Sequence, residues 1–346
     1  MKYFNTFDAI RFFAFFTVFL QHLPRYQSEI LNFFMSSGAI GVQIFFILSG
    51  FLISYILIIE KEEKHKINLK NFFFRRILRI WPLYYLMILF AFLTPYILNF
   101  LSLDSSNDGY EPNWFYPLLF LENYQMMINN SFANVSPLRV MWSLCIEEHF
   151  YVVWGLVFYF LSSKRIPLFF LFSIIISLIF RIIYKNYMIN DIDLNTNILY
   201  FSFGGILSYI LVYKENVINE LGKIPRYIKN IIALFCILLY FLIPSLKIDS
   251  VIFEPLLVGS ITSLLISLTL CKKHPLLINK NNIFSRLGKY TYAMYLFHTI
   301  LINLIVKFSS NFSLIFLLSL ITTIISSILS YYLFENQFLK LKKFFY

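Results

Sequence analysis

The chain has 346 residues, of which 59% are hydrophobic and only 14% are charged. Soluble domains are usually about 45–50% apolar and about 25% charged, so this composition excludes a soluble globular protein. The net charge of +11 does not indicate nucleic-acid binding, because the basic residues lie in short segments between apolar blocks and form no single patch. The three cysteines show no spaced pair and predict neither a disulfide framework nor a metal site.

Apolar blocks of roughly 17–25 residues recur along the chain, the length that a helix needs to cross a bilayer core of about 30 Å. We therefore predict an all-α fold, a polytopic transmembrane helix bundle of about ten spans. The bundle forms a single domain over residues 1–346, with no appended soluble domain. The predicted spans are residues 8–24, 39–59, 78–101, 141–161, 166–184, 198–213, 229–246, 252–270, 290–307 and 312–334.

Two local features modify this pattern. Pro95 predicts that the third span bends or ends early, because proline removes a helical hydrogen bond. The pair Gly204 and Gly205 predicts a close helix approach in the sixth span.

The basic residues predict the orientation of the spans. With the N-terminus in the cytoplasm and ten alternating spans, 22 of the 29 Lys and Arg residues fall in cytoplasmic segments and five, among them Lys247, in external ones. Cytoplasmic segments of membrane proteins hold an excess of Lys and Arg. Both termini, including Lys2, are therefore predicted to be cytoplasmic.

The first span holds Asp8, Arg11 and His22, and ionisable groups inside a membrane are candidates for function. Eleven residues turn a helix by about three turns, so Arg11 and His22 share a face at depths roughly 16 Å apart. This spacing suits an anion held near the inner surface by Arg11 and proton transfer by His22 further out. The alternative is that Arg11 only anchors the helix end and His22 lies at the interface.

Arg75, Arg76 and Arg79 follow the second span, and Arg75 and Arg79 lie one helical turn apart. Guanidinium groups bind phosphate oxygens in a bidentate manner, so a cytoplasmic cluster of this kind could hold a nucleotide-containing donor. Contact with lipid headgroups is the alternative interpretation.

The fourth span holds, near its start, Ser143 as a possible site residue, followed by Glu147 and Glu148. The two glutamates enter the membrane from the outer side at a depth similar to that of His22. Neighbours on a helix point about 100° apart, so one of the two carboxylates is expected to face the cavity of His22. A carboxylate that holds an imidazole is a common arrangement for a general base. A structural ion pair is the alternative.

The ninth span places His298 near mid-membrane. Its imidazole could be catalytic, could bind the donor, or could be a hydrogen-bonded histidine of the core.

Together these residues resemble the membrane acyltransferase-3 family, in order along nearly the whole chain. The matching segments are Asp8-x-x-Arg11 with His22, the stretch from Gly41 to Leu52, Arg75-Arg76-x-x-Arg79-x-x-Pro82, Trp142-Ser143-Leu144-x-x-Glu147-Glu148-x-Phe150-Tyr151, and Tyr295-Leu296-x-His298.

The resemblance implies a multi-pass enzyme of a bacterial-type cell membrane that moves an acyl group from the cytoplasmic side to a hydroxyl. The donor would be acetyl-CoA or another acyl-CoA, used as a co-substrate with no permanently bound cofactor. The acceptor would be a cell-envelope glycan, such as a surface polysaccharide, or a lipid-linked glycan.

The resemblance also assigns roles to residues. His22 would be the catalytic histidine and Glu147 the acid of the fourth span, with Glu148 beside it. Arg11 and the cluster of Arg75, Arg76 and Arg79 would serve the donor. A proton-coupled transporter or flippase of a glycan or lipid precursor is the alternative function.

Overall fold

The computed structural model describes residues 3–103, 108–187, 189–246, 248–271 and 277–345. Four lysines that entered the topology prediction lie outside these ranges, namely Lys2, Lys247, Lys272 and Lys273. The described residues are predominantly helical, and they contain no β-strand beyond one isolated bridge between Tyr110 and Ala133. The predicted all-α fold is therefore confirmed for the part of the chain that the structure describes.

Ten long helices account for the apolar blocks, and each of them overlaps one predicted span. They are α1 (Asn5–Gln21), α2 (Gly38–Lys64), α3 (Leu69–Phe100), α4 (Trp142–Phe160), α5 (Ile166–Tyr184), α6 (Leu194–Tyr213), α7 (Arg226–Leu242), α8 (Phe253–Leu270), α9 (Thr291–Val306) and α10 (Phe312–Ser330).

Seven of the described helical segments are long and apolar enough to cross a membrane by length and composition, and α9 is a shorter apolar helix. The polytopic character is thereby confirmed, whereas the number of ten spans and the cytoplasmic termini stay predictions. The seven segments contain α2, α3, α5, α6, α7, α8 and α10.

The third helix begins earlier than predicted, whereas its last residue lies within one residue of the predicted end. It begins at Leu69, where the side chain of Asn68 accepts a hydrogen bond from the backbone N–H of Asn71, a common way to satisfy the first amides of a helix. The three arginines therefore lie within a helix and not in a loop. The helix also continues past Pro95 to Phe100. Of the two alternatives predicted for Pro95, the early end was wrong and the bend stays a prediction.

The helices divide between two compact units. The first unit comprises residues 1–67, 153–183 and 195–289, and the second comprises residues 68–152, 184–194 and 290–346. In the first unit, α1 packs against α2 and against the short helix Ile283–Gly288. The residues of α1 that are predicted to be functional are therefore held from two sides.

Small residues bring α2 and α6 into backbone contact within the first unit. A Cβ atom on Gly204 would overlap the carbonyl oxygen of Ile47, and one on Gly50 would overlap the carbonyl oxygen of Phe201. This contact confirms the close approach predicted for the sixth span, since only glycine leaves room for a neighbouring backbone.

In the second unit, α9 packs along α10, and the chain then continues through a π-helical turn, Tyr331–Glu335, and the short helix Asn336–Lys340. The following residues, Leu341–Phe345, pack against α3. Side chains from the far end of the chain thereby reach the arginine cluster of α3.

Candidate functional site

The predicted site residues fall into the two units. Asp8, Arg11 and His22 belong to the first unit. The other predicted residues belong to the second unit, namely Arg75, Arg76, Arg79, Ser143, Glu147, Glu148 and His298. The pairing of His22 with Glu147 stays a prediction.

Asp8 and Arg11 form an ion pair in the first turns of α1. Arg11 Nη1 lies 2.7 Å from Asp8 Oδ1, and the side chains are only 19% and 12% exposed. The hydroxyl of Tyr3 also donates to Oδ2 of Asp8. The carboxylate therefore orients the guanidinium of Arg11 and occupies one of its five N–H donors.

His22 follows the last helical residue of α1 and is exposed. Its Nδ1 lies 2.9 Å from the carbonyl oxygen of Val18. Because a carbonyl can only accept, Nδ1 is the donor, and in the neutral ring Nε2 is then the basic nitrogen. A histidine in this tautomer can accept a proton through Nε2. The Val18 carbonyl thus orients the ring of His22 from within α1.

The two glutamates of α4 face different neighbours. Glu147 accepts a hydrogen bond from the hydroxyl of Tyr151 at 2.8 Å, one turn further along the helix. Glu148 accepts from the indole Nε1 of Trp81 at 3.2 Å and lies within electrostatic range of Arg76. The divergence agrees with the expected angle of about 100° between neighbouring side chains.

One carboxylate oxygen of Glu148 differs from the other in its surroundings. Oε1 is buried, and it has no hydrogen-bond partner within the described ranges of the chain. Buried polar atoms in folded proteins nearly always have a partner. Such an atom is suited to receive a hydrogen bond from a substrate.

Ser143 has a structural environment. Its hydroxyl donates to the hydroxyl of Tyr295 at 2.8 Å and lies 3.2 Å from the carbonyl oxygen of Val140. The Tyr295 hydroxyl in turn donates to the same carbonyl at 3.0 Å. This closed set of hydrogen bonds joins the start of α4 to α9, and it gives Ser143 a packing role.

His298 is fully buried, and its Nδ1 lies 2.6 Å from the carbonyl oxygen of Tyr295 in the preceding turn of α9. The contact accounts for the burial of an imidazole in an apolar helix. Of the interpretations open to the sequence, the hydrogen-bonded core histidine agrees with this geometry.

The arginine cluster has partners from three parts of the second unit. Arg75 Nη1 donates to the carbonyl oxygen of Phe345 at 3.0 Å. Arg76 acts on Glu148 and on Tyr151, and Arg79 acts on Glu335. Two of the three guanidinium groups therefore have a carboxylate within electrostatic range.

Sequence reasoning missed several residues that surround this cluster. Tyr292 lies within electrostatic range of Glu147, Glu148 and Glu335, and its hydroxyl donates to the carbonyl oxygen of Ile80 at 2.7 Å. Glu335 closes the π-helical turn that follows α10. A π-helical turn often marks a functional position. The sequence does not predict such a turn, and a single glutamate near the end of a span does not by itself indicate a functional site.

A family model described as an acyltransferase domain matches residues 4–333. The chain belongs to this acyltransferase family. The match extends over all ten long helices and both groups of predicted site residues. With its apolar helices and its bacterial relatives, the chain is a multi-pass protein of a bacterial membrane.

Named relatives match about half of the chain. The peptidoglycan O-acetyltransferase OatA of Listeria monocytogenes is 37% identical over 160 residues, which cover 44% of this chain and 24% of that protein. The putative peptidoglycan O-acetyltransferase YrhL of Bacillus subtilis is 34% identical over 44% of this chain and 23% of its own. The O-acetyltransferase OatA of Staphylococcus aureus is 32% identical over 48% of this chain and 26% of its own. The match thus spans about a quarter of the length of these relatives. No solved structure matches the chain.

Proposed function

We propose that this chain is a membrane-embedded O-acetyltransferase, which moves an acetyl group from cytoplasmic acetyl-CoA to a hydroxyl of a cell-wall glycan. The family match over residues 4–333 supports the acyl-transfer reaction. The relatives whose names state peptidoglycan O-acetylation support the acetyl group and the class of acceptor.

The observation that carries the proposal is the hydrogen bond between Nδ1 of His22 and the Val18 carbonyl, at 2.9 Å. It leaves Nε2 as the basic nitrogen of the neutral ring, which is the state that O-acyl transfer requires of its base. His22 is also exposed at the end of its helix, so a substrate can reach the ring.

In the reaction, Nε2 of His22 takes the proton of the acceptor hydroxyl while the hydroxyl oxygen attacks the carbonyl carbon of the thioester. A C–O bond forms and the C–S bond breaks. The proton on His22 then passes to the sulfur of the leaving coenzyme. In the covalent alternative, Nε2 attacks the thioester carbonyl carbon, the C–S bond breaks, and the coenzyme leaves as a thiolate. The acceptor hydroxyl then attacks the acetyl carbon, the bond to Nε2 breaks, and the hydroxyl proton passes to the thiolate.

The remaining residues have supporting roles in this proposal. Arg75, Arg76 and Arg79 bind the phosphates of the donor, because guanidinium groups match phosphate oxygens. Glu147 and Glu148 serve the acceptor, and the buried Oε1 of Glu148 accepts a hydrogen bond from a glycan hydroxyl. Arg11, held by Asp8, binds an anionic group of the donor, since a guanidinium is suited to phosphate or carboxylate oxygens.

The test is the O-acetyl content of the cell-wall glycan, measured by NMR in cells with the wild-type chain, without it, and with His22→Asn. Asparagine keeps a donor that can reach the Val18 carbonyl but has no basic nitrogen. Its matched control is His65→Asn, because His65 is exposed and has a φ of 58°, a conformation that asparagine tolerates.

We expect O-acetylation with the wild-type chain and with His65→Asn, and none with His22→Asn at equal membrane abundance. Normal acetylation by His22→Asn would exclude His22 as the base. If the glycan is the same with and without the chain, labelled acetyl-CoA is supplied to membrane vesicles. Transfer of the labelled acetyl group to another molecule would show that the acceptor is not the cell-wall glycan. Absence of any transfer would favour the transporter function.

A further inference from the structure

The residues after the π-helical turn hold a lysine beside the arginine cluster. The carbonyl oxygen of Phe345 accepts from Arg75 at 3.0 Å, and the rings of Phe74 and Phe345 stack with their centroids 4.7 Å apart. These contacts attach residues 341–345 to the first turns of α3. Lys342 lies in the attached stretch and outside the residues 4–333 that match the family.

The electrostatic surroundings of Lys342 are unusual. The charges that act on it are those of Arg79, Arg76 and Arg75, all of its own sign. Its ammonium makes no hydrogen bond or ion pair with a carboxylate among the described residues. Glu335 and Glu148 act on the arginines but are not among the charges that act on Lys342. Burial and the three arginines disfavour a positive charge on Lys342, and an anion bound among these side chains would offset the repulsion.

The neighbouring lysines have different surroundings. Lys340 Nζ lies 3.4 Å from the side-chain oxygen of Gln337, and Lys343 Nζ lies 5.0 Å from the ring centroid of Phe344. Both are exposed, whereas Lys342 is half-buried. Of these three lysines, Lys342 is the one that is half-buried and has the arginines of α3 among its neighbouring charges.

We propose that Lys342 binds a phosphate group of the acyl donor together with Arg75, Arg76 and Arg79. Arginine supplies planar bidentate contacts to phosphate, and lysine adds a compact point charge. Arg79 is exposed and Arg75 and Arg76 are half-buried, so a ligand can reach the cluster from solvent. This proposal rests on the proposed function, in which the donor is a phosphorylated coenzyme thioester.

The experiment measures the binding of labelled acetyl-CoA to the purified full chain in phosphatidylcholine nanodiscs. The variants are Lys342→Ala, Lys342→Arg, Arg76→Ala and the control Lys340→Ala. We expect Lys342→Ala to raise the Kd by about 10- to 100-fold, the usual effect of one charge-assisted contact. Lys342→Arg restores most of the affinity, and Lys340→Ala leaves it unchanged.

Competition by acetyl-pantetheine, which has no phosphate, identifies the group that Lys342 binds. We expect its inhibition constant to be the same for Lys342→Ala and the wild type. An equal loss for both ligands would mean that the substitution disturbs the fold, and it would overturn the phosphate assignment.

Two results separate this inference from the proposed function. If the wild type binds acetyl-CoA and Arg76→Ala weakens it while Lys342→Ala does not, Lys342 is no part of the donor site and the proposed function stands. If the wild type does not bind acetyl-CoA, both proposals fail. A last comparison uses nanodiscs that contain anionic phosphatidylglycerol. If the wild type and Lys342→Ala differ in their affinity for acetyl-CoA only in these nanodiscs, Lys342 binds lipid phosphates, and the assignment to the donor is overturned.

Discussion

The ion pair between Asp8 and Arg11 can be tested against an exposed pair of the same spacing. Arg11 Nη1 and Asp8 Oδ1 are 2.7 Å apart, and the side chains are 19% and 12% exposed. Lys223 Nζ and Glu220 Oε1 are 2.6 Å apart, also three residues apart on a helix, but the side chains are 72% and 67% exposed. The two pairs therefore differ mainly in their access to water.

The expected energies differ accordingly. With an effective dielectric constant of about 20, the gross attraction at the separation of Asp8 and Arg11 is about 6 kcal/mol. Removal of both charges from water offsets much of this, and we expect a net coupling of about 1.5–3 kcal/mol. Solvent screening reduces the coupling of Glu220 and Lys223 to about 0.2–0.5 kcal/mol.

The assay is a double-mutant cycle on the free energy of unfolding, measured by titration of detergent micelles with a denaturing detergent. The variants are Asp8→Asn, Arg11→Gln and the double substitution, with Glu220→Gln and Lys223→Gln as the parallel cycle. The interaction term isolates the pair from effects of each side chain alone. A coupling for Asp8 and Arg11 no larger than that of the exposed pair would refute the reasoning, since burial would then add nothing.

Two further predictions concern Glu122, in the segment between α3 and α4, and a helix contact. Burial raises the pKa of Glu122 to about 7, against a smaller opposing effect of its hydrogen bond from Tyr110. The folded state therefore holds the proton more tightly, so the free energy of unfolding should fall by about 3 kcal/mol as the pH rises from about 4.5 to 7. Glu122→Gln should remove most of this fall in the free energy of unfolding between those pH values. A pH dependence equal to that of the wild type would contradict the raised pKa of Glu122. Gly204→Ala should cost about 1–3 kcal/mol of stability because the added methyl overlaps the carbonyl of Ile47. Gly222→Ala is the control, since open space surrounds that position, and equal melting temperatures for the two variants would refute the close approach.

The amino-acid sequence determined the positions of the ten long helices, because burial in a membrane requires long uninterrupted apolar blocks. It also determined the approach at Gly204, since small residues mark close helix contacts. The placement of Arg75 and Arg79 on one helical face followed from the helix period alone. Boundaries were less certain, and α3 begins nine residues before the predicted start because Asn68 caps it.

The hydrogen-bond partner of His22 within its own helix could in principle have been predicted from the sequence. Val18 lies one turn before it on α1, and a histidine that follows the last residue of a helix can donate to a carbonyl of the last turn. The choice between that carbonyl and a carboxylate depends on the conformation of the helix end, which the pattern of residue types does not specify.

Only the tertiary structure decided which distant side chains meet. Ser143 and Tyr295 are 152 residues apart in the chain and share a hydrogen bond, while Trp81 and Glu148 are 67 residues apart. Lys342 and the arginines of α3 come together because residues 341–345 pack against that helix. Local periodicity reports which face a side chain occupies on its own helix. It does not report which other helix packs there, because that depends on the summed packing and hydrogen bonding of many side chains at once.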